Sequence, residues 1–311
     1  MSAAKIKKAL VLDGGGGWGR VQAASLYTLH EAGVLDGVDA VFSNSVGSIN
    51  AMLYCAGLMA GQGADFNKEA WQSIRSNTQV ISPDFMAIAA NPIGHAIAIG
   101  RLGEGVVLGQ GALDNGPLKA LIKRYASKTT TNDLEARLGI VWRAQCYHNG
   151  EGRGRLMNGM FYHMAVASSS IELAFPAHLG LSDGGPADNC PAGYAIQGGA
   201  EKIVVIYCGS DGPAPTDAPV WVDDSTPEPG LSAKQVGRSL LENITNINEA
   251  EADEELDRAE AAGTQVVRCW SRTPVTGSIL QFEDPDMVRW NQGVAAAMLA
   301  LADAKAYGWV Q

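Results

Sequence analysis

The sequence predicts a three-layer α/β sandwich around a mainly parallel central sheet, and three observations carry that prediction. Two strand–turn–helix units follow one another within the first sixty residues. Further short apolar runs then alternate with helical stretches, the pattern of a sheet covered on both faces. Glycine is abundant, at 37 of 311 residues, while aromatics make up only 7%, which suits a fold rich in tight strand-to-helix turns.

The first unit is the apolar run Ala9 to Leu12, a buried parallel strand, followed by a glycine cluster and the helical pattern Val21, Ala24, Leu26, Leu29. The second is Val38 to Phe42, which leads through Ser43 to Gly47 into the helix-like Ile49, Met52, Leu53, Ala56. The segment Ile81 to Leu108 is apolar but broken by Pro83, Pro92, Gly94, Gly100, Gly103 and Gly105. It reads as loops with short helical pieces, either a substrate-facing cap or a cover for the sheet edge. Ile140 to Tyr147 and Ile203 to Cys208 read as further strands, with a small-residue helix Phe161 to Ile171 between them. Gly209 to Gly230 is a surface loop dominated by proline, aspartate and glycine. Ala233 to Ala262 reads as a long charged helix, Val266 to Trp270 as a last strand, and Asp286 to Ala306 as a closing helix. With 46% hydrophobic and 18% charged residues, the chain 1–311 is expected to form one domain.

A formal charge of −10 repels nucleic-acid phosphates, so no nucleic-acid partner is expected. No polybasic patch offers electrostatic anchoring to anionic lipid, which leaves transient, apolar membrane contact. Cys55, Cys146, Cys190, Cys208 and Cys269 are an odd set with no close pair. They read as buried thiols in a reducing compartment and not as a disulfide framework. The apolar stretch after Lys5, Lys7 and Lys8 ends at Asp13, too short for a signal-peptide core, and no run approaches the length that spans a bilayer. A cytoplasmic enzyme is the expectation. The sequence carries no signal of oligomeric state.

Asp13-Gly-Gly-Gly-Gly-Trp-Gly19 follows a strand and opens a helix, so its backbone N–H groups converge in a cradle for an anion. Gly14, Gly16 and Gly19 also match a dinucleotide-binding spacing, with Asp36 or Asp39 about twenty residues on as the ribose ligand. The next turn separates the two readings. Ser43-Asn-Ser45-Val-Gly47 has the form of a nucleophile elbow, where a serine sits on a strained bend with its hydroxyl exposed and small neighbours let strand and helix approach. Gly47 meets that demand, and Ser43 stands where glycine is usual. A plain N-cap serine is the alternative for Ser45. A nucleophile beside preorganised N–H donors is what acyl transfer needs, and Gly14, Gly15, Gly16 and Gly17 are then the oxyanion hole.

Together with Leu181-Ser-Asp183-Gly-Gly185, the preceding Ala165-Val-Ala-Ser-Ser-Ser170 and Phe175-Pro176, and the following Asn189-Cys-Pro191, these motifs resemble the patatin-like phospholipase family. That family orders a glycine-rich oxyanion motif, an elbow and an Asp-Gly-Gly or Asp-Gly-Ala motif. The resemblance covers roughly residues 8–210. It implies a patatin-like fold and a lipid acyl hydrolase of the phospholipase A or lysophospholipase type. Ser45 is implied as the nucleophile and Asp183 as its direct base, without a histidine, while Gly19, Gly47, Gly184 and Gly185 are supporting positions. An aspartate of ordinary pKa, about 3.9, is a weak base, so burial would have to raise its basicity. No cofactor and no metal are implied, and the five histidines show no metal-ligand spacing. His178 is the histidine nearest the motif in sequence, with a structural role or one in shaping the acyl pocket. Two departures stand out: Trp18 occupies the family's basic position, with Arg20 displaced beyond Gly19, and Ser43 replaces glycine. A dinucleotide-binding oxidoreductase module and a catalytically silent scaffold of the same fold are the rival readings.

Overall fold

The computed structural model describes residues 5–81, 114–126, 128–171, 175–209, 250–277 and 281–311. The proposed cap from Ile81 to Leu108 lies outside the described residues beyond Ile81. So does the expected loop Gly209 to Gly230 beyond Gly209, and so does the expected helix Ala233 to Ala262 before residue 250.

Among the described residues the sheet has seven strands: β1 (Lys8–Leu12), β2 (Ala40–Asn44), β3 (Val141–His148), β4 (Arg153–Met157), β5 (Leu181–Asp183), β6 (Lys202–Ile206) and β7 (Gln265–Cys269). Their order is β4-β3-β2-β1-β6-β7, with β5 also paired to β3. The core strands β3, β2, β1, β6 and β7 run parallel, and β4 and β5 are antiparallel to β3.

Strand side chains alternate between the two faces, and that alternation makes the three layers. On one face Leu10, Leu12, Val41, Val204, Ile206 and Val267 join a large buried cluster. It is shared with the helices α1 (Gly19–Glu31), α2 (Val46–Ala60), Gly116–Tyr125, Phe161–Ser168 and Val288–Ala306. On the other face Ala9, Val11, Ala40, Phe42, Ile203, Val205 and Val266 join a smaller cluster under the helix Ala192–Gln197 and the helical residues 250–261. The three-layer sandwich with a mainly parallel sheet is therefore the observed architecture. The expected strand Val38 to Phe42 is shifted by two residues, and the helix expected from Phe161 to Ile171 ends at Ser168. All five cysteines are free and buried. Among the described residues no helix is long and apolar enough to cross a membrane.

Candidate active site

Ser45 stands between β2 and α2 with φ 50° and ψ −125°, one of three described non-glycine residues with positive φ. Such a conformation costs about 1–3 kcal/mol and persists only where the surroundings impose it. They do so here. A Cβ built on Gly47 would lie 2.4 Å from the Asp13 carbonyl oxygen and 2.5 Å from that of Leu12, so only glycine lets α2 press onto the end of β1. The Ser45 N–H donates to Ser168 Oγ at 2.9 Å, and Ser45 is 7% exposed.

That Ser168 hydroxyl ends a buried chain whose direction is fixed at every step. Trp142 Nε1–H donates to Ser43 Oγ at 2.9 Å, Ser43 Oγ bonds Ser48 Oγ at 3.0 Å, and Ser48 Oγ donates to Ser168 Oγ at 2.8 Å. Ser168 Oγ then donates to the Gln145 carbonyl at 2.7 Å. Because Ser48 spends its proton on Ser168, Ser43 is the donor between the first two hydroxyls. Ser43 is thus more than a tolerated small residue: its hydroxyl satisfies a buried indole and braces the elbow. Ser43→Gly is expected to strand the Trp142 N–H and lower stability by about 1–3 kcal/mol, read as a lowered midpoint in urea unfolding. An unchanged midpoint would contradict this account of the chain.

Asp183 reaches the same place through the register of β3. β2 pairs β3 with Asn44 opposite Gln145, and β5 pairs β3 with Asp183 opposite Cys146. One edge of β3 is taken by β4 from Ala144 to His148, so β5 occupies the β2 edge. The two strands meet there end to end, and Asn44 and the last residue of β5 arrive at neighbouring positions of one strand. Asp183 is 5% exposed. Its N–H donates to the Ser170 carbonyl at 2.8 Å, and its Oδ1 accepts the Gly185 N–H at 2.9 Å. Burial, with the Asp183 charge second, pushes the Cys146 thiol pKa up.

The glycine loop completes the cluster. Asp13 anchors its start: the buried carboxylate accepts from Gln22 Nε2 and from the Cys208 N–H, both at 2.8 Å. A Cβ built on Gly14 would lie 2.9 Å from Ser45 Cβ and 2.4 Å from Asn189 Oδ1, so loop, elbow and the segment after Asp183 are in contact. Asn44 Nδ2 donates to Asn189 Oδ1 at 3.1 Å, and a Cβ on Gly184 would lie 2.6 Å from Asn44 Oδ1. The Gly14 N–H, however, donates to the Asn189 carbonyl at 3.1 Å, and Asn189 Nδ2 returns a bond to Gly14 O at 3.2 Å. That pair of bonds ties Gly14 to Asn189. Gly15, Gly16 and Gly17 carry the next N–H groups of the loop. Gly16 takes φ 54° and with Gly17 opens the 3-10 turn Gly16–Trp18, where first-turn donors have no acceptor within the helix.

Asp36 and Asp39 are at the far end of β1 from this loop. Asp39 caps the Lys7 and Lys8 N–H groups at 3.0 and 3.1 Å, and the Asp36 carbonyl takes Lys8 Nζ. The length of β1, roughly 13 Å, separates them from the start of the glycine loop, and the end of β2 carries Asn44 and Ser45 where a ribose-binding acid would stand. Arg20 turns into the interior, donating to the carbonyls of Ile74 and Phe282. Burial lowers its pKa to about 10.

His178 bonds another histidine. Its Nε2 and His163 Nδ1 are 2.8 Å apart, with the rings stacked at 5.1 Å. Burial first, then the nearby His163 and Lys119, lowers the His178 pKa below the ordinary 6.5. A group whose folded pKa is depressed lends stability that is full above the unfolded value and lost as pH falls through the folded one. The melting temperature is therefore expected to fall as pH drops below 6.5, and His178→Gln is expected to flatten that part of the profile. An identical slope in the variant would contradict the assignment.

Against this geometry, the family model for patatin-like phospholipases matches residues 10–196. The chain belongs to the patatin-like phospholipase family. Membership makes it a lipid acyl hydrolase in general terms, and the matched span contains elbow, glycine loop and Asp183. No curated protein matches the chain. Among solved structures it is similar to VipD from Legionella pneumophila, with 13% identity, TM-score 0.42, and coverage of 96% of this chain and 67% of that one. It is also similar to the type III effector ExoU, with 13% identity, TM-score 0.40, and coverage of 98% and 54%. A third is full-length ExoU of Pseudomonas aeruginosa in complex with SpcU, with 14% identity, TM-score 0.30, and coverage of 82% and 52%. The chain spans about half the length of the ExoU chains. In this patatin-like chain, Ser168 and Asn44 act on the site without having been singled out from the sequence. Their only signal was membership in the small-residue helix and in the elbow itself.

Proposed function

We propose that the chain hydrolyses a carboxylic ester of a lipid through an acyl-Ser45 intermediate, as a single domain. The observation that carries the reading is the register of β3, which sets the ends of β2 and β5 against Gln145 and Cys146, with Gly14 packed against Ser45. In this mechanism Ser45 Oγ attacks the ester carbonyl as its proton passes to Asp183. The N–H groups of Gly15, Gly16 and Gly17 receive the oxyanion. Asp183 returns the proton to the leaving alcohol, then takes one from the water that cleaves the acyl-enzyme and passes it to Ser45 Oγ as the acid departs. No cofactor enters the scheme.

The substrate class is supported by a narrow apolar crevice whose lining includes Val46, the residue after the nucleophile, with Ile49, Trp71, Leu118, Ile122 and Phe282. Its open volume of about 20 Å³ admits one water-sized sphere, so an acyl chain enters by spreading these side chains. An apolar wall without charge suits a fatty acyl chain. Hydrolysis is tested with a series of p-nitrophenyl acyl esters and with phospholipid vesicles. Ile49→Trp is expected to lower kcat/KM for long chains by about tenfold or more and to spare short ones, since pocket volume discriminates on that scale. Equal losses at every chain length would remove the crevice from the reading.

A further inference from the structure

The glycine loop is gripped by a distant part of the chain. Arg289, in the first turn of the helix Val288–Ala306, is 2% exposed, and its Nη1 donates to the Gly17 carbonyl at 3.2 Å. The same guanidinium donates to the carbonyls of Gln281 and Glu283. The backbone N–H groups of Arg289 and Trp290 donate to Asp284 Oδ2 at 3.1 and 3.2 Å. Two nearby side chains reach the same part of the chain: Trp18 Nε1 donates to the Gly277 carbonyl at 3.2 Å and Arg20 Nη2, from the start of α1, to that of Phe282 at 2.9 Å. Of these contacts, only the Arg289 bond holds the main chain of the loop.

A peptide unit is planar, so fixing the Gly17 carbonyl also fixes the Trp18 N–H, which closes the turn on the Gly15 carbonyl at 3.1 Å. The orientation of the Gly16 and Gly17 N–H groups follows from that turn. Withdrawing a guanidinium from water is costly, and burial lowers the pKa of Arg289. An aliphatic side chain could fill the space, but only a planar, multi-donor group can bond several carbonyls from two segments at once.

We propose that Arg289 is a positioning residue of the oxyanion hole, clamping the Gly17 carbonyl to the segment Gln281–Glu283 and thereby aiming the Gly16 and Gly17 N–H groups. This rests on the hydrolase reading above. The test compares Arg289→Lys and Arg289→Met with the wild-type full chain, by ester-hydrolysis kinetics and by amide hydrogen exchange of the peptide spanning residues 13–20. Arg289→Lys keeps the charge but cannot hold two segments. It is expected to lower kcat by about 10- to 100-fold, the scale of a misplaced oxyanion donor, with KM within about twofold. Exchange of the loop peptide is expected to rise while that of β1 and β6 is unchanged. Should Arg289→Met fail to fold, Trp18→Phe, which removes only the bond to Gly277, is expected to show a smaller shift in the same direction. Loop exchange unchanged in the lysine variant overturns the proposal, and so does a loosened loop with unchanged kcat. A wild-type chain that hydrolyses no ester overturns the hydrolase reading instead. Loop exchange needs no turnover, so it still reports whether the clamp exists.

Discussion

Ser45→Ala is expected to lower ester hydrolysis by a factor on the order of 10⁴ to 10⁶, the scale found when a covalent nucleophile is removed, with the melting temperature nearly unchanged. The expectation rests on a division of labour inside the residue. Its N–H is bonded to Ser168 and its Cβ packs beside Gly14, and alanine retains both. Positive φ is as costly for alanine as for serine, so the elbow strain is also unaltered. Only the Oγ is lost. The measurement is initial-rate kinetics on a chromogenic acyl ester beside a thermal melt. Turnover near the wild-type level would remove Ser45 from the chemistry.

Asp183→Asn is expected to silence the chain to the same degree, and the double variant Ser45→Ala/Asp183→Asn to be no worse than either single one, because two residues that share one proton transfer are not additive. The substitution is a fair probe of the base. Asparagine still offers an Oδ1 to the Gly185 N–H, now bonded at 2.9 Å, and the backbone bond to Ser170 does not depend on the side chain. Lost activity with an unchanged melting temperature identifies a base. Lost activity with a lowered melting temperature identifies a structural aspartate in a turn, and retained turnover that disappears in His178→Ala moves the proton to a histidine.

The strands with continuous apolar runs could be read from sequence because both their faces are covered. β1 and β6 carry such runs, and their ends deviate by only a residue or two from the expected ones. The two antiparallel strands were missed for different reasons. β4, Arg153–Met157, is a charged strand at the end of the sheet order with no apolar run, and β5 has three residues, too few for any periodicity. Yet β5 delivers Asp183. Sequence could point to this aspartate through its Asp-Gly-Gly motif, but its meeting with the elbow is set by the pairing of β3 with two different strands on one edge, which is non-local.

The finer chemistry of the loop was hidden for the same reason. Nothing near Gly14 indicates that its N–H is engaged by a carbonyl 175 positions away, and nothing near Arg289 indicates a bond to Gly17 across 272 positions. Ser43 read as an imperfect elbow residue because its partner Trp142 lies on another strand, 99 positions away.

The central claim, that Ser45 is an activated nucleophile beside an oxyanion cradle, is tested most directly by reacting the native chain with a fluorophosphonate and locating the adduct by peptide mass spectrometry. The account predicts one stoichiometric adduct on Ser45, absent in Ser45→Ala and strongly slowed in Asp183→Asn. No adduct on the native chain, or one that forms on another serine and survives Ser45→Ala, would contradict it.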